Sequence, residues 1–325
     1  MEYFSFTAVA TGLILWASLA AGYFARRKGP HPIRLGIFMI LAGVTFLLLL
    51  EEALLNGPYP DMGLWLALGA ALSLPLAGSI AKFSEGSRYA LQVSGLMFAT
   101  RLAFVPFPQK SIKVDTTVSV YAVVMTLIIA FLFLKKIDLG RVGFTVGIRP
   151  LHSQITLAVS AGFLSGLVEY YILRPSPISP IVDKMQALLY VIIVMTLFVG
   201  LGEEILFRGL IQESYQNVLP ASSAIIMTSI QFSLMHYGWL NPLEILFACG
   251  IGAVIGYLFW TTRSLIAPVI VHALGNIVMF YLAANPNHFL AMLMIAPSMW
   301  APPFVSWLLT RSKTSGKRTV IYLPR

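Results

Sequence analysis

Apolar residues fill this chain in long blocks separated by short polar breaks, and that rhythm predicts its elements. A helix needs about 20 predominantly apolar residues to cross the hydrocarbon core of a bilayer. On that criterion the sequence predicts eleven spans, at roughly 5–24, 35–51, 63–81, 89–107, 117–134, 153–173, 186–212, 221–237, 244–260, 265–284 and 288–310. The last is interrupted by Pro297, Pro302 and Pro303. The predicted fold class is all-α, a polytopic transmembrane helix bundle.

Composition agrees. Of 325 residues, 58% are hydrophobic and 11% charged, with a mean hydropathy of +0.82. Soluble domains carry about a quarter charged residues, so lipid must be the solvent for most of this surface. The net charge of +9 would suggest nucleic acid in a soluble protein. Here it reads as basic loops at a membrane face, with the lipid bilayer as partner and no nucleic acid. The single Cys249 lies in an apolar run, which rules out an internal disulfide.

Charge placement sets an orientation. The first residues carry Glu2 and no basic side chain, while Arg26, Arg27 and Lys28 follow the apolar stretch. That order predicts a retained first helix with its N-terminus outside, rather than a secretory signal. The cytoplasmic segments then hold Arg26, Arg27, Lys28, Arg34, Lys82, Arg88, Lys135, Lys136, Arg141, Arg149, Arg208 and Arg263, and the tail adds Arg311, Lys313, Lys317, Arg318 and Arg325. Those seventeen face four outside (Lys110, Lys113, Arg174, Lys184), with Arg101 inside a span. The bias is that of the positive-inside rule and places the C-terminus in the cytoplasm. The loop 135–152 separates a five-helix part, 1–134, from a core at 153–310, and 311–325 is a basic cytoplasmic tail. Multi-pass insertion in a prokaryotic cell membrane is the expected setting.

Ionisable groups at membrane depth are costly and mark function. The four Asp residues (61, 115, 138, 183) fall in predicted loops. Glu51, Glu52 and Glu244 lie near span ends and read as solvated interface. Arg101 and Glu169 are deeper and could pair with each other or with backbone carbonyls, which reads as a structural role. The segment Gly202-Glu203-Glu204-Ile205-Leu206-Phe207-Arg208-Gly209 differs from these. Glu204 and Arg208 stand four apart with the acid first, the favourable order on a helix. Glu203 is rotated away and needs a partner from elsewhere in the bundle. Spans 186–212 and 221–237 form a hairpin about Leu219-Pro220, and the midpoint of 203 and 236 is 219.5. Glu203 and His236 are thus expected at one depth, within hydrogen-bonding reach. His272 and Asn276, also four apart, share a face. Pro268 sits in the first turn of their helix, where its missing N–H costs little.

A carboxylate and an imidazole converging on one point can deprotonate water. Glu203 is the expected general base, with His236 positioning the water. His272 and Asn276 are donors of the type an oxyanion requires, and Glu204 with Arg208 would orient Glu203 from behind. Other intramembrane protease chemistries lack their residues. None of the five His residues (31, 152, 236, 272, 288) is followed by Glu, as His-Glu-x-x-His demands. No membrane Asp pair and no Gly-x-Ser-Gly stretch is present. A divalent metal such as zinc, bound through Glu203, Glu204, His236 and His272, remains an alternative to a cofactor-free site.

Three motifs, Glu203-Glu204-Ile-Leu-Phe-Arg208-Gly209, Phe232-Ser-Leu-Met-His236 and His272-Ala-Leu-Gly-Asn276, resemble those of the CPBP family. This family comprises the CAAX prenyl proteases of the Rce1 type and bacterial relatives, some named as bacteriocin-processing or abortive-infection proteins. The run Gly250-Ile-Gly-Ala-Val-Ile-Gly256 through Arg263-Ser264-Leu-Ile-Ala-Pro268 is similar to the segment preceding the family's third motif. The resemblance covers about residues 190–284 and implies a metal-independent glutamate endopeptidase: Glu203 and His236 activate water, and His272 and Asn276 hold the oxyanion. It implies a peptide or protein substrate, whose lipidation it leaves open. Two rival readings of the same residues stand beside it: a non-catalytic membrane immunity factor or scaffold, and a proton-coupled transporter.

Overall fold

The computed structural model describes residues 32–80, 83–105, 114–175 and 184–298. Every long element among them is a helix, and no strand occurs. We number them α1 (Pro32–Leu55), α2 (Pro60–Ile80), α3 (Glu85–Arg101), α4 (Val114–Leu134), α5 (Leu151–Leu173), α6 (Lys184 to Gln216), α7 (Ala221–Leu234), α8 (Pro242–Thr262) and α9 (Ile266–Ala284). The predicted span 5–24, the basic tail 311–325 and the end of 288–310 lie outside the described residues.

Among the described residues, seven helical stretches are long and apolar enough to cross a membrane: Leu35–Leu55, Pro60–Ile80, Thr116–Leu134, Leu151–Leu173, Leu188–Gln216, Pro242–Thr262 and Ile266–Ala284. The chain is an integral membrane protein. Phe133, Leu72, Leu76 and Ile129 stand exposed on outward faces, where acyl chains take the place of a protein neighbour. Two of the predicted spans, 89–107 and 221–237, are helices of 17 and 14 residues, short for a bilayer. Their apolar side chains, among them Phe98, Met97, Phe232 and Leu234, pack into the protein core instead. Apolarity alone does not distinguish burial in lipid from burial against other helices. Asp61 and Asp115, assigned to loops from sequence, begin helices α2 and α4.

One hydrophobic cluster joins the N-terminal helices to the later ones, with Leu41, Leu48, Phe98 and Val124 packed together with Val194, Leu206, Phe207 and Ile211. Polar contacts cross the same boundary. Gln231 of α7 donates to Thr45 Oγ1 of α1 at 2.9 Å, and Tyr215 of α6 hydrogen-bonds both Gln231 and Ser94 of α3.

Small residues let α5 and α9 approach closely. A Cβ added to Gly166 would stand 2.5 Å from Gly275 O, and one added to Gly162 would stand 2.9 Å from Val271 O. Gly162 and Gly166 are four apart, the spacing that brings membrane helix backbones together. This contact fixes α9, which carries His272 and Asn276, against α5, which carries Glu169.

Several buried charges depart from expectation. Glu51, Glu52 and Glu244 are fully enclosed rather than solvated. Arg101 pairs with Glu51 at 3.6 Å and with Glu52, and not with Glu169. The C-terminal end of α3 meets the C-terminal end of α1 there, so span ends that lie near water in a linear projection are covered by protein.

Candidate active site

Helix α6 is not uniform. Two π-helical stretches, Val194–Gly200 and Ile205–Gln212, flank the α-helical turn Leu201–Glu204. Such wider turns recur at functional sites because they re-aim side chains at a fixed point on a helix. Glu204 and Arg208 keep the predicted pairing, with Nη1 donating to Oε1 at 2.9 Å. Both are fully buried, so their charges are met within the protein. Arg208 Nη2 donates to Gly252 O of α8 at 3.2 Å, and the guanidinium stands 4.6 Å from the Phe232 ring centroid.

Glu204 also accepts from His272 Nδ1 at 2.7 Å. The sequence reading gave Glu204 the task of orienting Glu203; the structure has it orienting His272. With Nδ1–H directed at a carboxylate, Nε2 of His272 turns toward Glu203 and lies 3.7 Å from its Oε2. That gap is beyond a direct hydrogen bond. The other oxygen of Glu203, Oε1, accepts from the phenol of Tyr121 on α4. Glycine at 202 allows α4 this close: an added Cβ there would stand 3.1 Å from Met125 Sδ and 3.7 Å from the Tyr121 ring.

His236 lies just beyond α7, in the turn that leads to Tyr237–Trp239. Its Nδ1 is 3.1 Å from Phe232 O. A carbonyl oxygen only accepts, so Nδ1 carries a proton and, in the neutral ring, Nε2 offers its lone pair. The expected direct bond from His236 to Glu203 is not formed; His272 stands nearer the Glu203 carboxylate. The straight-helix projection behind that expectation fails because α6 has π turns and α7 ends before His236. Phe232 stands between the two imidazoles, with centroids 5.0 Å from His236 and 5.7 Å from His272.

His236, His272 and Asn276 line one cavity of about 30 Å³, room for a water molecule or two. Glu203 meets the cluster through His272 rather than as part of that lining, and remains within electrostatic range of His236. The structure therefore gathers all four predicted catalytic residues, together with Glu204 and Arg208, from α6, α9 and the end of α7. Among the described residues, no three His, Cys, Asp or Glu side chains are grouped to share a metal ion.

Three further polar residues reach this region. Tyr121 is uncharged and escapes a search for ionisable groups in lipid. Glu169 and Glu244 line the same cavity as the two imidazoles. The sequence signal for Glu244 was its position three after Asn241, at the start of α8.

Residues 185–278 match the family model described as type II CAAX prenyl endopeptidase Rce1-like. This segment is Rce1-like. It runs from the start of α6 into α9 and contains all three motifs singled out in the sequence. Neither the curated proteins nor the solved structures give a match. The Rce1-like match supports a protease enzyme acting on a protein or peptide substrate in a membrane. Helices α1 to α5 lie outside the matched segment, although Tyr121 brings one of them to Glu203.

Proposed function

We propose that the chain is a glutamate-type intramembrane endopeptidase in a prokaryotic cell membrane, acting without a metal on the tail of a peptide or protein. The observation that carries this reading is the Glu203 carboxylate held 3.7 Å from His272, beside the cavity that His236 and Asn276 also line. Tyr121 occupies Oε1 of Glu203 and leaves Oε2 on the His272 side to take a proton. In the proposed reaction His236 Nε2 accepts a hydrogen bond from a water and aligns it. Glu203 removes a proton as the water oxygen attacks the amide carbonyl. The carbonyl oxygen gains the electron pair and is met by donors from His272 and Asn276. The proton on Glu203 then passes to the leaving nitrogen as the C–N bond breaks.

Glu204 accepts from Nδ1–H of His272 and fixes its direction, Arg208 holds Glu204 in place, and His272 meets the oxyanion as the imidazolium, whose Nε2–H is the donor. The tail of the substrate is CAAX-like, prenylated or not, in keeping with the type II CAAX prenyl endopeptidase description of the matched segment. Residues 1–134 support the 153–310 core by supplying Tyr121.

The test compares membrane peptides by mass spectrometry from cells carrying wild-type or Glu203→Gln protein at equal abundance. A terminus present with the wild type and absent with the variant identifies both activity and substrate. Identical peptide profiles from an expressed, folded pair would sink the proteolytic reading.

A further inference from the structure

Two carboxylates that the water-activating reaction does not use face the same cavity as its imidazoles. Glu169 comes from α5 and Glu244 from the first turn of α8. Glu244 is fully enclosed by protein, and neither of its side-chain oxygens has a hydrogen-bond partner. Its place, third in the helix after the cap Asn241, is that of a capping-box glutamate, whose carboxylate ordinarily reaches back to the cap N–H. Here Asn241 caps alone, its Oδ1 accepting from Leu243 N at 3.0 Å, and Glu244 turns to the cavity.

Glu169 is 9% exposed and lies within electrostatic range of both Glu244 and Glu203. No Lys or Arg lines the cavity, and Arg208 is already engaged by Glu204. Unpaired carboxylates in such a setting repel one another and lack compensation for lost water. A cation admitted from outside relieves both terms. The volume of about 30 Å³ matches an ammonium head, which is close to water in size and donates three hydrogen bonds. A guanidinium is a broad planar fork and fits it poorly. Among the described residues, no group of three His, Cys, Asp or Glu side chains stands together to hold a divalent ion.

We propose that Glu169 and Glu244 form a subsite for a primary ammonium group of the substrate, next to the bond that is cut. This deepens the proteolytic reading and rests on it. The ammonium belongs either to a lysine side chain or to a free amino terminus, and one experiment separates the two.

Detergent-solubilised full-length Glu203→Gln protein, silent in cleavage on the proposed mechanism, is titrated with three fluorescein-labelled pools of otherwise random peptides. The first is N-acetylated and contains lysine, the second carries acetyl-lysine in its place, and the third lacks lysine but has a free amino terminus. Either amine-bearing pool should bind about tenfold or more tightly than the acetyl-lysine pool, the range of a charge-assisted hydrogen bond. Adding Glu244→Gln or Glu169→Gln should abolish that preference without loosening the acetyl-lysine pool. Two separate substitutions guard against one that fails to fold, checked by melting and gel filtration. Equal binding of all pools overturns the proposal, as does a preference that survives both substitutions. Stoichiometric uptake of added Zn²⁺ or Mg²⁺ that removes the preference also overturns it, assigning the pair to a metal. Wild-type protein is incubated with the same pools. Failure to cut any peptide, with the binding preference intact, would count against the proteolytic reading and leave the ammonium subsite standing.

Discussion

The phenol of Tyr121 donates a hydrogen bond to Oε1 of Glu203 across 82 positions of sequence. Tyr121 belongs to α4, outside the matched segment, so the N-terminal helices contribute directly to the geometry of the proposed base. Behind it, Phe104 meets the Tyr121 ring edge-on at 5.4 Å and lies under Arg101, which holds Glu51 and Glu52.

Replacing Tyr121 with Phe removes that donor while keeping the ring. A hydrogen bond to a charged group contributes about 1.5–3 kcal/mol, so kcat should fall by about ten- to a hundredfold. KM should hardly change, because Tyr121 touches Glu203 and not the peptide. The lost bond should lower the melting temperature by only a few degrees, because the ring and its packing are kept; a larger drop would assign Tyr121 to packing.

Asn276→Ala should reduce kcat by about a hundredfold or more with little change in KM, the signature of a lost oxyanion donor. Steady-state kinetics on the peptide identified by mass spectrometry checks this. A change confined to KM would assign Asn276 to substrate binding instead.

Glu204 and Arg208 are fully buried partners, and removing one leaves the other charge uncompensated. Glu204→Gln and Arg208→Met singly should each cost about 3–5 kcal/mol, whereas the double variant should cost less than their sum. Thermal melting in detergent measures the cycle. Glu204→Gln should also lower activity in the folded fraction, because His272 loses the carboxylate that its Nδ1 faces at 2.7 Å.

Gly166→Ala brings a methyl 2.5 Å from Gly275 O, backbone that cannot give way without shifting α9. It should destabilise by about 1–3 kcal/mol and depress activity through His272 and Asn276. Gly250→Ala, with nothing within 4 Å of the added carbon, is the control and should melt as wild type does or slightly higher.

Part of the geometry of the candidate site was legible beforehand. The Glu204–Arg208 pair follows from four-residue spacing on a helix, and His272 with Asn276 follows from the same rule. The depth of Glu51, Glu52 and Glu244 was not legible, because their span ends are covered by neighbours far off in sequence. Nor was the partner of Glu203. A phenol in an apolar span carries no charge to betray it, and the match between α4 and α6 depends on Gly202 admitting one helix to the other.

The sequence by itself determined that this protein is helical, lies in a membrane, and carries three polar motifs in its second half. A bilayer offers no water to backbone groups, so apolar length translates almost directly into helix, and short-range spacing translates into shared faces. Only the tertiary structure decided which faces meet: that His272 rather than His236 stands nearest Glu203, that Tyr121 grips the same carboxylate, and that Glu169 and Glu244 enter the cavity. Those outcomes depend on helix rotation, on π turns in α6 and on glycine contacts between α5 and α9, all set by packing among helices distant in the chain.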